Sequence, residues 1–278
     1  MDISIVLKEL KDLEYIKDEK ATFSKLSGGT VSEIYLVNSN LVVKANNPKI
    51  VEAEAVFLDY YSGISLLPRL FYKHSENEYL VYSYIKGKPY HPRNNKQELL
   101  ISLVKNVLNQ YKASSWESRW GWIDEPAESW KDFIVSRISE AENNLQFTLL
   151  AEDHKLVHSL INKQGRYSTE NPFLLHGDCG VHNFIFEDGE LCGVIDPSPV
   201  IGPPVYDLIY AFCSSPDSLT KETIDSAAIH LLEKGELFNE EILVGLYLRI
   251  STCIKHHPED LNEYLAAWEY WKKIVEEG

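Results

Sequence analysis

Three short apolar runs, Thr22 to Leu26, Val31 to Val37 and Leu41 to Ala45, are separated by turn residues, which predicts successive strands. The turns are Ser27-Gly28-Gly29-Thr30 and Asn38-Ser39-Asn40, so the region reads as a β-meander whose first turn is glycine-rich. After Asn47-Pro48 the spacing becomes helical. Asn47 suits an N-cap and Pro48 the first helical position, and Ile50, Phe57, Leu58 and Tyr61 form one apolar face. Glu54 falls on that face, four residues from Ile50 and from Leu58, whereas Glu52 is rotated away. A carboxylate directed into a core needs a cationic partner, and Lys44, near the end of the third strand, is the nearest candidate.

A further strand is expected at Tyr79-Leu80-Val81-Tyr82, followed by turn residues from Ser83 to Pro89 that read as a hinge. Beyond the hinge the pattern is helical. Leu99, Leu100, Leu103, Val104, Val107, Leu108 and Tyr111 make one stripe, and Trp130, Phe133, Ile134, Arg137, Ile138, Ala141 and Leu145 make another. Between them Trp116, Trp120 and Trp122 are expected to pack against neighbouring helices, with stacking on a sugar or cation as the alternative. Two more amphipathic helices close the chain, one around Ile242 to Ile254 and one carrying Leu261, Tyr264, Leu265, Trp268 and Trp271.

At 278 residues the chain has room for two lobes. Lys plus Arg total 27 and Asp plus Glu 42, giving a formal charge of −15. Such a chain repels nucleic acid and anionic membrane and attracts cations, so neither is expected as a partner. The N-terminus, with Leu7-Lys8-Glu9-Leu10-Lys11-Asp12, is charged and amphipathic, unlike a signal peptide or a membrane span. Cys179, Cys192, Cys213 and Cys253 form no Cys-x-x-Cys pair, which fits reduced thiols in a cytoplasm. His154 and His158 stand four apart without a third ligand, and they and His256-His257 are read as surface residues.

The chemistry concentrates in His176-Gly177-Asp178-Cys179-Gly180-Val181-His182-Asn183. An Asp followed five residues later by Asn suits phosphoryl transfer: the carboxylate accepts the proton of an attacking hydroxyl, and the carboxamide oxygen holds Mg2+. Asn183-Phe-Ile-Phe and Leu191-Cys-Gly-Val-Ile read as two strands joined at Asp188-Gly189, a pair favoured in tight hairpins. Folding there sets Asn183 opposite Val194 and puts Asp196 two residues further along. Asp178, Asn183 and Asp196 then converge, two of them as hard oxygen ligands. A metal-dependent hydrolase built on Asp178, His182 and Asp196 is the rival reading.

His176-Gly177-Asp178 with Asn183, Ile195-Asp196-Pro197 and Val205-Tyr206-Asp207-Leu208 resemble the aminoglycoside phosphotransferase and choline kinase-like superfamily. The resemblance implies an α+β, bilobal protein-kinase-like fold. Residues 1–83 would form the nucleotide-binding lobe, 84–88 the hinge, and 89–278 the catalytic and acceptor-binding lobe. It also implies ATP, or GTP in its place, with Mg2+. Asp178 would be the catalytic base, Asn183 and Asp196 the metal ligands, and Asp207 a brace for the loop. Gly28, Gly29 and Thr30 would lie over the phosphates, Lys44 fixed by Glu54 would contact them, and backbone groups near Ser83 and Ile85 would meet the adenine. His176-Gly177 replaces the His-Arg of protein kinases and Asp196-Pro197 their Asp-Phe-Gly, which points to a small-molecule acceptor. The expected acceptor is an aminoglycoside or related amino-sugar, its cations suited to Glu259, Asp260, Glu263, Glu269, Glu276 and Glu277 of the last helix. Fructosamine, choline, homoserine and macrolide are alternatives, as is a silent kinase-like binding module. The chain is expected to act as a monomer or weak homodimer.

Overall fold

The N-terminal elements are α1 (Ile3–Asp12), β1 (Phe23–Lys25), β2 (Glu33–Val37), β3 (Leu41–Ala45), α2 (Pro48–Tyr60), β4 (Leu70–Lys73) and β5 (Tyr79–Ser83). The computed structural model describes residues 2–17, 21–26, 32–89, 95–113, 119–163, 172–232 and 238–277. The strands form one antiparallel sheet in the order β1-β2-β3-β5-β4. Strand alternation sends successive side chains to opposite faces. Leu41, Val43, Tyr79 and Val81 meet Ile3, Val6, Leu7 and Leu10 of α1 on one face, while Val42, Leu80 and Tyr82 join the other core with α2. Lys44 shares the parity of Val42 and so points toward α2.

The first two strands are shorter than the sequence reading, and β4 and α1 were not anticipated from the apolar runs. In α2 the Asn47 side chain caps Lys49 N at 3.0 Å. The buried arc runs through Val51, Glu54, Phe57, Leu58 and Tyr61. Ile50 departs from expectation: it shares the face of Glu54, Phe57 and Tyr61 by helical angle but is exposed, because it stands in the first turn of α2, which begins at Pro48.

The C-terminal region contains α3 (Lys96–Asn106), β6 (Trp120–Trp122), β7 (Pro126–Ala127), α4 (Trp130–Leu145), α5 (Ala151–Ile161), β8 (Phe173–Leu175), β9 (Phe184–Glu187), β10 (Glu190–Val194), β11 (Val200–Gly202), α6 (Val205–Cys213), α7 (Lys221–Ala228), α8 (Phe238–His256) and α9 (Leu261–Glu277). Both predicted stripes are buried apart from the half-buried Arg137. Trp120 and Trp122 pack on Trp130 and Phe133, with ring centroids 6.5 and 5.5 Å apart; Trp116 lies outside the described residues. His154 and His158 are half-buried rather than on the surface, because their rings engage the Tyr247 hydroxyl at 2.6 Å and Glu142 at 2.9 Å. All four cysteines are free thiols. Among the described residues no helix is long and apolar enough to cross a membrane. An antiparallel sheet lobe followed by a mainly helical lobe is the bilobal protein-kinase-like arrangement.

Candidate active site

Lys44 is almost fully buried and donates to Glu54 Oε2 at 2.6 Å and to Asp196 Oδ1. Glu54 is equally buried, while Glu52 faces solvent. Burial alone would lower the Lys44 ammonium, but the carboxylates of Glu54 and Asp196 outweigh it and hold the group above its ordinary value. Burial pushes the Glu54 carboxyl up to about 7 against the pull of Lys44. This ion cluster joins the sheet, α2 and the segment after β10.

The hairpin carries its Asp188-Gly189 turn with both residues left-handed, φ 51° and 88°, the backbone that a tight two-residue turn requires. Its register differs from the expected one. Val194 pairs with Phe184 rather than Asn183, because the ladder slips between Leu191 and Gly193. The extra residue is Cys192, whose thiol donates to Lys86 O and Ile185 O at 3.3 and 3.2 Å. Ile195 N–H therefore donates to Asn183 O at 2.9 Å, and Asp196 follows one residue later instead of two. Asn183 itself ends a 3-10 turn, Val181–Asn183, just before the strand.

Asn183 donates through Nδ2 to Asp178 O and Oδ2, at 3.0 and 2.9 Å. The Tyr210 hydroxyl donates to Asp178 Oδ1 at 2.6 Å, and His182 Nε2 stands 3.3 Å from Oδ2. Burial would raise the Asp178 carboxyl, but His182, Tyr210 and His176 together hold it below its ordinary value. Asp178 is thus kept as a carboxylate, able to accept a proton.

Beneath the loop, Asp207 is fully buried and accepts from His176 N at 2.9 Å, Gly177 N at 3.0 Å and the Tyr111 hydroxyl at 2.7 Å. Burial still pushes its carboxyl up to about 6. Gly177 has φ 78°, and a Cβ there would stand 1.9 Å from Ser198 O, so the turn excludes every other residue. His176 is buried, and burial lowers its imidazole to about 4. Its Nδ1 accepts from Asp178 N at 3.3 Å, so Nε2 carries the proton and donates to Ile195 O at 3.1 Å. One neutral ring ties the Asp178 loop to the segment bearing Asp196.

At the end of β5, Ser83 donates its N–H to Arg69 O and accepts from Arg69 N through its hydroxyl, both at 2.9 Å. Tyr84 N–H goes to Asn40 O at 2.8 Å. Ile85 rests against β10, where a Cβ on Gly193 would meet its side chain at 2.8 Å. Gly28, Gly29 and Thr30 lie outside the described residues. Among the described residues no three His, Cys, Asp or Glu side chains cluster as a metal site, so the Asp178, His182 and Asp196 hydrolase set is not assembled. Tyr210 escaped the sequence reading, although it follows Asp207 by three residues on α6 and so shares its face.

The phosphotransferase enzyme family, APH, matches residues 22–237. The chain belongs to that family. It superposes on the GDP and kanamycin complex of APH(2″)-IIIa with a TM-score of 0.62 at 16% identity, covering 98% of this chain and 99% of the other. The streptomycin and ATP ternary complex of APH(2″)-IIa gives 0.62 at 19% identity, over 95% and 96%. The ADP and hygromycin B complex of APH(4)-Ia gives 0.61 at 14% identity, over 96% and 97%. No curated protein matches the chain at significant sequence similarity. The phosphotransferase is thus a small-molecule kinase by family, with its Lys44, Glu54 and Asp196 in one ion cluster and its Asp178 and Asn183 in direct contact.

Proposed function

We propose that the chain transfers the γ-phosphoryl group of ATP, in a Mg2+-dependent reaction, to a hydroxyl of a small molecule. The observation that carries this reading is the grip on Asp178: one carboxylate oxygen takes the Tyr210 hydroxyl and the other the Asn183 amide, which fixes a carboxylate that is held ionised. In the step, the acceptor oxygen bonds to the γ-phosphorus, the bond to the ADP oxygen breaks, and the acceptor proton passes to Asp178. Lys44, held by Glu54, faces the phosphates. Backbone groups near Ser83 and Ile85 would meet the base of the nucleotide. Residues 1–83 act as the nucleotide lobe, 84–88 as the hinge and 89–278 as the acceptor lobe.

The donor chemistry fits the metal. Asn183 commits Nδ2 to Asp178, which leaves Oδ1 for a cation, and the Asp196 carboxylate is 43% exposed beyond its contact with Lys44. Both are hard oxygen ligands of the kind Mg2+ takes. The chemistry a bound Mg2+ supplies is neutralisation of the phosphate oxygens. The aminoglycosides in the related complexes support an amino-sugar as one acceptor class to test, and the free thiols support a cytoplasmic setting. An ADP-release assay with ATP or GTP, with and without Mg2+, over amino-sugars, amino alcohols, hydroxy acids and macrolides tests the reading. Acceptor-dependent ADP release that needs Mg2+ supports it. Phosphate release at one rate whatever the acceptor would favour a hydrolase.

A further inference from the structure

The acidity of the chain concerns its surface more than its acceptor site. Glu259, Glu263, Glu269, Glu276 and Glu277 are all exposed on or beside α9. None of them, nor Asp260, lines the cavity that reaches Tyr210, the residue bonded to Asp178. That cavity lies between α4, α6 and α8, and Tyr210, whose hydroxyl is bonded to Asp178, forms part of its wall. Its surface is mostly apolar, with Trp130 and Tyr206 as flat faces meeting edge to face at 5.3 Å. Three lining residues carry charge: Arg137, Arg249 and Glu241.

Both guanidiniums have neutral partners. Arg137 lies over the rings of Trp122 and Phe133, 5.4 and 5.8 Å from their centroids, and donates to the Tyr206 hydroxyl. Arg249 donates Nε to the Tyr264 hydroxyl at 3.0 Å and Nη2 to Ser214 O at 2.8 Å. Neither forms an ion pair with a carboxylate among the described residues. A half-buried guanidinium without a counter-ion favours a carboxylate or phosphate, which its planar fork can grip at two points. Several ammonium groups placed beside two such cations would be repelled. Glu241 is the one carboxylate among the lining residues, set against two guanidiniums, whereas Asp124 and Glu125 together line a separate groove with Ile50, Ala53, Trp122 and Pro197.

We infer that the acceptor is an alcohol with a flat apolar body and an anionic group, an inference that rests on the phosphotransfer reading. Its hydroxyl meets Asp178 beside Tyr210, its body lies along Trp130 and Tyr206, and its anion faces Arg137 and Arg249.

The test uses the full chain with ATP and Mg2+ and reads ADP release for one benzyl alcohol scaffold in three charge states, with kanamycin as the polycation. The three are 4-(hydroxymethyl)benzoate, its neutral carboxamide and the cationic 4-(aminomethyl) analogue. The expected order of kcat/KM is anion, then neutral, then cation, with at least a tenfold span. Arg137→Gln is expected to shrink that span below threefold and Arg137→Lys to keep most of it. A preference for the cation or kanamycin, or a span unchanged by Arg137→Gln, would overturn the inference. Loss of kanamycin turnover in Asp124→Asn would instead assign the acceptor to the acidic groove. Turnover of none of the four, with ATP still bound and slowly hydrolysed, overturns the acceptor class alone. Failure to bind or hydrolyse ATP at all overturns the phosphotransfer reading itself.

Discussion

The Tyr210 hydroxyl stands 2.6 Å from Asp178 Oδ1, and Asp207, one turn earlier on the same helix, holds the backbone of the loop that carries Asp178. One rigid element thereby sets both the position of the loop and the aim of its carboxylate. Removing the Tyr210 hydroxyl frees the carboxylate to rotate and takes away a contact that lowers its pKa. Tyr210→Phe is expected to reduce kcat by about tenfold, the worth of one hydrogen bond to a charged group. Its acid limb in kcat should move to higher pH. A lower kcat with an unmoved acid limb would assign Tyr210 to packing only.

Glu54 and Glu52 lie two residues apart on α2, one buried against Lys44 and one in solvent. Breaking a buried pair leaves an uncompensated charge, so Glu54→Gln should lower kcat/KM by about a hundredfold. Glu52→Gln should leave it within about twofold, since exposed substitutions cost little. Measuring both variants at saturating Mg2+ checks the pairing, and equal effects would contradict it.

Two buried groups under the loop give stability opposite dependences on pH. Asp207 is raised to about 6, so the folded chain binds its proton first, and this contribution is lost as pH rises from about 4 to 6. His176 is lowered to about 4, so its contribution is lost as pH falls from about 6.5 to 4. Each amounts to about 3 kcal/mol at full extent. The native Tm is therefore expected to vary little from these two groups between pH 4 and 6. Asp207→Asn removes one of the opposing contributions, and its Tm should fall steeply on acidification through that window. A variant whose Tm profile parallels the native one would show that the two groups are not balanced.

Asp196 and Asp188 are both left-handed residues of the hairpin region, at φ 59° and 51°, but only Asp196 meets Lys44. Asp196→Ala is expected to weaken Mg2+-dependent nucleotide binding at least tenfold, as loss of a hard-oxygen ligand should. Asp188→Ala should leave it unchanged. Titration of ATP with and without Mg2+ by calorimetry distinguishes the two.

What was legible in the sequence were features fixed by local chemistry. Asn47-Pro48 start a helix, Asp188-Gly189 turn a hairpin, and the period of α2 buries Glu54 against Lys44. What escaped needed three-dimensional context. The Cys192 bulge shifts the register by one, and no pattern of side chains marks it, since its thiol bonds to backbone carbonyls of two other segments. Ile50 satisfies the apolar period and is still exposed, because it stands in the first turn of α2 and the period does not say how far along a helix the buried face runs. Tyr210 was hidden among the apolar residues of α6, its hydroxyl meaningful only once the loop lies above it. The arginines of the cavity wall were hidden by a net charge that describes the surface.

Asp178→Asn tests the central claim most directly, with ADP release and ATP binding measured on the same preparation. The carboxamide keeps the shape of the side chain and cannot take the acceptor proton. The account predicts that acceptor-dependent ADP release falls by about a thousandfold or more while the Kd for ATP with Mg2+ stays within about twofold, since Lys44 and Asp196, the residues proposed to hold the phosphates and the metal, are untouched. Near-native turnover in Asp178→Asn would contradict the account.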